Sequence, residues 1–491
     1  MYSLGIIYFF KLKQVIFRFF KNPKLLIIFL LIGCQINPAS GEKELNLLSE
    51  KEEQAIGAKE HPKILKEFGG KYDNKRIENY VKSLGNFLVS TSEMSNKNFR
   101  FTVLDSPIIN AFALPGGYIY LTRGLIALCQ NEAQLAGVIA HEIGHITARH
   151  SARRYTRNIS TSLLVNILGS LTKSPVIQNL VGQSASLYLL SYSRNQEYEA
   201  DKLSTRYMIR AGFDPREMAN FLSLMKQHSD LQKKIIKNKN QTSELLLTHP
   251  NSSKRVLEVI NNSNEKIPIN PIIGESIFLK KIDGMIFGDS PDGGFFYKNS
   301  FVHKSLKISF KFDKDFYFLN NPKFLLGLTN DDTNIIFDID NKIADNNINY
   351  LAEWAKVSKK NIFNFQEFYI GNFISTIGTL KRKGKLIRLV AIKDNEVFYR
   401  FTLISNKNEL EKYNQKFLDL IYSFRKHKGT YLEKINPPKI GITTFSGGGE
   451  SLSKITKNLN LQKKYSTEFF RIINNLKDKD PEIGQKIKTL Y

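Results

Sequence analysis

The sequence predicts a multidomain chain: a mainly α unit carrying one small β-sheet, then an α+β unit, then a small β-α-α-β module. Three observations predict it. From about Leu45 to Lys254, apolar residues recur at three- and four-residue spacing, broken by one short alternating stretch. Beyond "NNSNEKIPINP", Asn261 to Pro271, Phe, Tyr and Ile alternate with Lys, Asp and Asn, the pattern of strands joined by hairpins. Pro437 and Pro438 in "EKINPPK" then mark a further boundary. With 491 residues, each unit is long enough to bury a core of its own. The expected boundaries are 1–34, 35–262, 272–430 and 438–491.

The first segment reads as a leader. Lys11, Lys13, Arg18, Lys21 and Lys24 precede "LLIIFLLIGC", whose apolar run of about nine residues has the length of a signal-peptide core and is too short to span a bilayer. "LIGC", Leu31 to Cys34, is similar to a bacterial lipobox, which implies cleavage before Cys34 and acylation of that cysteine. An uncleaved anchor is the alternative, because the basic region opens with its own apolar patch, "LGIIYFF". Gln35, where an Asp would stand in an inner-membrane address, points to the outer membrane. With Cys34 acylated, Cys129 has no disulfide partner and is expected to be a small buried apolar residue.

Two helices, "NLLSEKEEQAIGAKEHPKILKEFGG" and "DNKRIENYVKSLGNFLVS", follow the leader. "NFRFTVLDS" and "NAFALPGGYIYLTRG" alternate and break at Pro115-Gly116-Gly117, so they are expected to be strands. Next comes one amphipathic helix, "LAGVIAHEIGHITARH", with Asn131 as its N-cap. The small-residue-rich segment that follows, interrupted by Pro175, reads as buried helices or a lid. In the α+β unit, helices are expected at "INYLAEWAKVS" and "ELEKYNQKFLDLIYSF" between the strands. The last unit opens with "KIGITTF" and closes with "IGQKIKTL".

An apolar fraction of 42% and a charged fraction of 24% are those of a globular protein. The net charge of +25 raises the question of an anionic partner. The excess is dispersed as Lys among Asn and Ile, with no basic helix or aromatic ladder to concentrate it, so nucleic acid is not an expected partner.

The chemistry lies in H-E-x-x-H. Residues four apart on a helix lie one turn above each other, so His141 and His145 can offer two imidazoles to one metal ion. Glu142 points into the same cleft and can take a proton from water activated by that ion. A solvated helix with incidental histidines is the rival reading, but a buried stripe rarely holds His-Glu without a partner for the charge. At 100° per residue His150 lies about 140° from His145 and about 180° from His141, so it is not expected to join them. A catalytic zinc needs a third protein ligand and an open position. In "SRNQEYEAD", Glu197 can supply that ligand while Asp201, one turn on, takes a hydrogen bond from the free N–H of a ligand histidine; the alternative is an exposed acidic helix start. Glu199, displaced by about 200° from Glu197, is expected to be solvated.

"KEHPKILKEFGG", "NAFALPGGYIYLTRGL", "AGVIAHEIGHITARH", "SRNQEYEADKLSTRYMIRAGFDP" and "THPNSSKR" occur in the order found in the BepA-like periplasmic zinc metallopeptidases, whose wider family includes HtpX and the prenyl-protein endopeptidases. The resemblance covers Ser49 to Val259. It implies a zincin-type metalloprotease domain with one Zn²⁺ held by His141, His145 and Glu197, Glu142 as general base, and Asp201 supporting the site. His249, in the matching "THPNSS", is expected to face the metal, where it either donates to the tetrahedral intermediate or occupies the water position in a latent state. Asn110, Ala111, Phe112, Gly117 and Tyr118, on the strands at Asn110–Leu114 or Tyr118–Leu121, are expected to hold an extended peptide by strand addition. The tail resembles a divergent LysM module, with "GESL" at Gly449–Leu452 and "GQKI" at Gly484–Ile487, which implies contact with peptidoglycan. Together these features imply a lipid-anchored periplasmic endopeptidase acting on misfolded or stalled envelope proteins; the alternative is an envelope chaperone or peptidoglycan-associated binding protein with a latent site. No role for 272–430 follows from the sequence.

Overall fold

A computed structural model describes residues 34–45, 48–154, 192–236, 249, 253–262, 266–321, 323–329, 331, 333–342, 347–447, 456, 463–476 and 479–491. The leader before Cys34, the lid segment around Pro175 and the "GESL" marker lie outside the described residues. Cys34–Ile36 (β1) pairs antiparallel with Lys43–Leu45 (β2). Among the described residues, no helix is long and apolar enough to cross a membrane.

The N-terminal region is helical around a three-stranded sheet. Helix α1, Glu50–Glu67, begins in a capping box formed by Ser49 and Glu52. Helix α2, Lys75–Ser90, is capped by Asn74 and buries Ile77, Val81, Leu84 and Leu88 along one side. The sheet consists of Arg100–Leu104 (β3), Ala111–Leu114 (β4) and Tyr118–Thr122 (β5), in the order β3-β5-β4. The hairpin between β4 and β5 turns through Gly116 and Gly117, both at positive φ (82° and 85°), where a β-carbon at Gly116 would come within 2.6 Å of the Gln54 Cα.

After the short helix α3, Arg123–Leu128, comes α4, Glu132–Thr147, whose N-cap is Asn131 as the sequence suggests. Every side chain of α4 after Glu132 is buried, so it is the central helix of this region. It packs against α5, Arg194–Arg210, which opens with a capping box of Ser193 and Gln196. Gly144 permits the approach: a β-carbon there would sit 3.1 Å from the Ala200 carbonyl oxygen. Helices α6, Arg216–Ile236, and α7, Ser253–Asn261, complete the layer. Cys129 is fully buried as a free thiol.

Residues 272–287 do not leave this region. Ile272 exchanges backbone hydrogen bonds with Gly212 and Asp214, and helix α8, Glu275–Ile282, adds Phe278, Leu279 and Ile282 to the helical core. The separate sheet-rich region begins at Phe295–Tyr297 (β6), which pairs with Ser300–His303 (β7); that strand pairs in turn with Ile308–Lys311 (β8). Its main sheet is antiparallel. In chain order its strands are Tyr317–Asn321 (β9), Phe324–Leu328 (β10), Asn334–Asn341 (β11), Phe363–Ile370 (β12), Phe373–Arg382 (β13), Lys385–Asp394 (β14) and Val397–Ser405 (β15). Helices α9, Asn347–Ala355, and α10, Lys407–Tyr422, stand where the sequence expects them. Phe301, Phe310, Phe337 and Phe401 pack ring against ring at the centre of this region's core.

The tail pairs Ile440–Thr444 (β16) with Lys486–Leu490 (β17), with helix α11, Lys463–Ile473, between them in sequence. It keeps no core to itself, because Ile440, Phe445, Phe470, Ile487 and Leu490 belong to the same cluster as Leu128, Ile139 and Met225. Lys488 is buried, and its ammonium donates to the carbonyls of Ala127 (3.0 Å) and Cys129 (2.5 Å) at the C-terminal end of α3. Burial pushes that ammonium down to about 7.

Candidate metal centre

The two histidines of α4 face one another, their Nε2 atoms 3.0 Å apart and their rings edge to face. Glu197, in the first turn of α5, reaches across the contact made possible by Gly144. One carboxylate oxygen lies 3.4 Å from His145 Nε2 and the other 3.6 Å from His141 Nε2. His249 completes the group, with Nδ1 2.9 Å from Glu197 Oε1 and 3.4 Å from His141 Nε2. One donor atom from each of His141, His145, Glu197 and His249 lies within 4.8 Å of the others, and all four residues are buried.

Behind these donors, Asp201 Oδ1 lies 3.0 Å from His141 Nδ1, the position expected of a carboxylate that orients a ligand ring. Arg255 of α7 ties the two acidic residues together, donating to Asp201 Oδ2 at 2.7 Å and to Glu197 Oε2 at 3.3 Å. Burial favours a neutral Glu197, but the neighbouring His249 and hydrogen bonds from all three imidazoles hold its carboxyl well below the usual range. Burial also disfavours charge on His141, yet Asp201 and Glu197 outweigh it and raise that imidazole to about 10. Burial keeps His145 well below its usual value.

Two imidazoles and a carboxylate from crossing helices are a zinc donor set. Two further observations fit a cation: Glu142 is buried with neither carboxylate oxygen hydrogen-bonded, and His249 Nε2 is likewise buried without a partner. These atoms face each other, Glu142 Oε1 lying 3.6 Å from His249 Nε2. Burial raises the Glu142 carboxyl, as suits a group that takes up a proton.

Two expectations need correction. His150 is not among the cluster's donors, but it does touch the pair from behind: its Nδ1 lies 2.9 Å from His145 Nδ1, and its Nε2 lies 2.9 Å from Glu199, which is therefore not simply solvated. The helical extrapolation fails because α4 ends at Thr147 and Arg149 adopts a left-handed conformation (φ 55°), which swings His150 back under the helix. The second correction concerns Tyr118 and Gly117. Strand β5 is bonded to β3 on one side and β4 on the other, so Tyr118 has no open edge for an added strand, and the Gly117 carbonyl is taken by the Arg100 N–H. Ala111 and Phe112 lie on β4, the edge of this sheet, and Asn110, just before it, bonds to Thr122.

No sequence pattern assigns Arg255 or Tyr192 to the site. Tyr192 stacks on the His145 ring, with centroids 3.8 Å apart. The only available signal for Arg255 was its place in "THPNSSKR", six residues after His249.

The model of Peptidase family M48 matches residues 75–262. The "Beta-barrel assembly-enhancing protease" of Yersinia pestis is 33% identical over 201 residues, covering 39% of this chain and 40% of that protein. Its counterpart in Escherichia coli K12 is 33% identical over 214 residues, 42% of either chain. The "Mitochondrial metalloendopeptidase OMA1" of Arabidopsis thaliana is 32% identical over 185 residues, covering 37% and 35%. The chain thus spans about two fifths of the length of the bacterial relatives it matches. Residues 75–262 are therefore the part of the chain similar to peptidase family M48, a family of zinc-dependent metallopeptidases.

Proposed function

We propose that the chain is a zinc endopeptidase of the bacterial envelope, anchored through an acylated Cys34, that hydrolyses peptide bonds of misfolded or stalled envelope proteins. The observation that carries the reading is the meeting of His141, His145 and Glu197 around one point, with the carboxylate of Glu142, which accepts no hydrogen bond, beside it. His141, His145 and Glu197 would hold the ion. Zinc bound there supplies Lewis-acid polarisation of the scissile carbonyl and of the attacking water. Glu142 takes the proton from that water and returns it to the leaving amine. Asp201 and Arg255 keep the His141 ring and the Glu197 carboxylate in place. The β4 edge at Ala111–Leu114 is the sheet's edge but is buried, with the Ala113 carbonyl accepting from the Ser151 hydroxyl at 3.2 Å, so an extended substrate strand would seat there only by displacing that contact; such seating would select substrates by unfolding more than by sequence. The name of the bacterial relatives points to proteins destined to become membrane β-barrels. By its LysM resemblance, the tail would meet peptidoglycan.

His249 favours a latent form of this site. It stands among the donors, and His141, Glu142, His145 and Glu197 are all buried, so with zinc bound His249 would take the fourth position that a water needs. His249→Ala is expected to keep zinc on the three remaining ligands and to raise casein turnover by roughly three- to tenfold, as the competent fraction grows. Unchanged turnover and zinc content would remove His249 from this role.

The full chain is expected to take up one zinc and to degrade unfolded casein, losing the activity to a chelator and regaining it with added zinc. A chain that bound no zinc, or that left casein intact both as wild type and as His249→Ala, would overturn the reading.

A further inference from the structure

The two imidazoles of α4 are supported in different ways. His141 meets a carboxylate directly, Asp201 Oδ1 lying 3.0 Å from its Nδ1. His145 meets another imidazole, its Nδ1 lying 2.9 Å from His150 Nδ1. His150 is fully buried, and its far nitrogen, Nε2, lies 2.9 Å from Glu199 Oε2 at the edge of the protein. A carboxylate accepts and cannot donate. Glu199 therefore requires the proton of a neutral His150 to sit on Nε2, which leaves His150 Nδ1 as an acceptor. That in turn requires the proton of His145 on Nδ1, and frees the lone pair of His145 Nε2 toward His141 and Glu197. The opposite tautomer of His145 would place a proton between the donors.

We infer that His150 and Glu199 are positioning residues that fix the tautomer and ring orientation of His145, setting it for zinc through two hydrogen bonds in series. The inference rests on the metallopeptidase reading above. The surrounding structure holds the series in place. Arg149 keeps its left-handed conformation through Glu53 on α1, and donates to the Leu48 carbonyl at 2.9 Å, so the turn that presents His150 is tied to the N-terminal helix. Tyr192 covers one face of the His145 ring, and its hydroxyl is held by Ser151 (2.9 Å) and Arg154 (3.0 Å) from the same turn. Edge and face of His145 are thus both set by residues 150–154.

The test uses the full chain as wild type, His150→Phe, His150→Gln and Glu199→Ala. Zinc affinity is read by competition with a coloured chelator, and the ligand field by the visible bands of the cobalt-substituted protein. His150→Phe is expected to weaken zinc binding by roughly 10–100-fold and to shift the cobalt bands. Glu199→Ala removes a part-exposed side chain, does not disturb the core, and is expected to weaken binding by about three- to tenfold. His150→Gln, which can accept and donate in the same series, should recover most of the loss. A role confined to packing would leave the cobalt bands unmoved. If His150→Phe does not fold, Glu199→Ala decides alone. Wild-type zinc affinity and cobalt bands in the folded variants would overturn the inference and leave the metallopeptidase reading standing; a wild-type chain that bound neither ion would overturn both.

Discussion

Glu142→Gln is expected to lower casein turnover by roughly 10²–10⁴-fold while leaving zinc content at the wild-type level. The amide has the size of the carboxylate but cannot take a proton from water. Neither oxygen of Glu142 is hydrogen-bonded, so the change breaks no network that holds the donors. Glu142 is also one residue from His141 on a helix whose side chains after Glu132 are all buried, which leaves the fold little freedom to compensate. Turnover of a labelled casein, measured beside zinc by elemental analysis, checks both halves. A variant within about threefold of wild type would deny Glu142 the proton-transfer role.

Glu197→Ala is expected to act at the earlier step, the binding of the ion. Partners standing behind ligands already cost about 10–100-fold in metal affinity when removed, so loss of the carboxylate that meets both imidazoles should cost more than about 100-fold. Turnover should fall with it at low zinc. Three imidazoles and Arg255 converge on Glu197, and its carboxyl is held well below the usual range by them. Chelator competition measures the affinity directly. Tight zinc binding by the folded variant would mean that His249 had replaced the carboxylate as third ligand, and the assignment of Glu197 would fail.

What the sequence made legible follows from how far each signal depends on distant contacts. His141 and His145 need only the helical repeat, and Glu197 and Asp201 need the same repeat on a second helix. That the two helices meet there depends on Gly144 lying over Ala200, a steric fact with no periodic signature. His150 and Glu199 escaped because one non-glycine residue, Arg149, leaves the helical region, and a fixed angle per residue cannot anticipate such a break. The strands within "LIRLVAIKDNEVFYRFTLIS", Leu386 to Ser405, were legible by alternation, with Val390 and Phe401 paired in a buried register. Whether a strand lies at an edge or between neighbours is not written in its own residues, and Tyr118 was misjudged for that reason. The tail's union with the helical core was hidden in the same way, since Lys488 seeks backbone carbonyls, which every residue carries.

The reach of Lys488 also bears on when the molecule becomes whole. It caps a helix 359 residues upstream of it, so a nascent chain in which every donor of the cluster has already left the ribosome still lacks the cation that closes the end of that helix. Completion of the peptidase core must wait for Lys486–Leu490 to be translated, and contacts of such sequence separation form slowly. Premature termination between His249 and that strand therefore yields a polypeptide with all of its ligands and an unfinished interior.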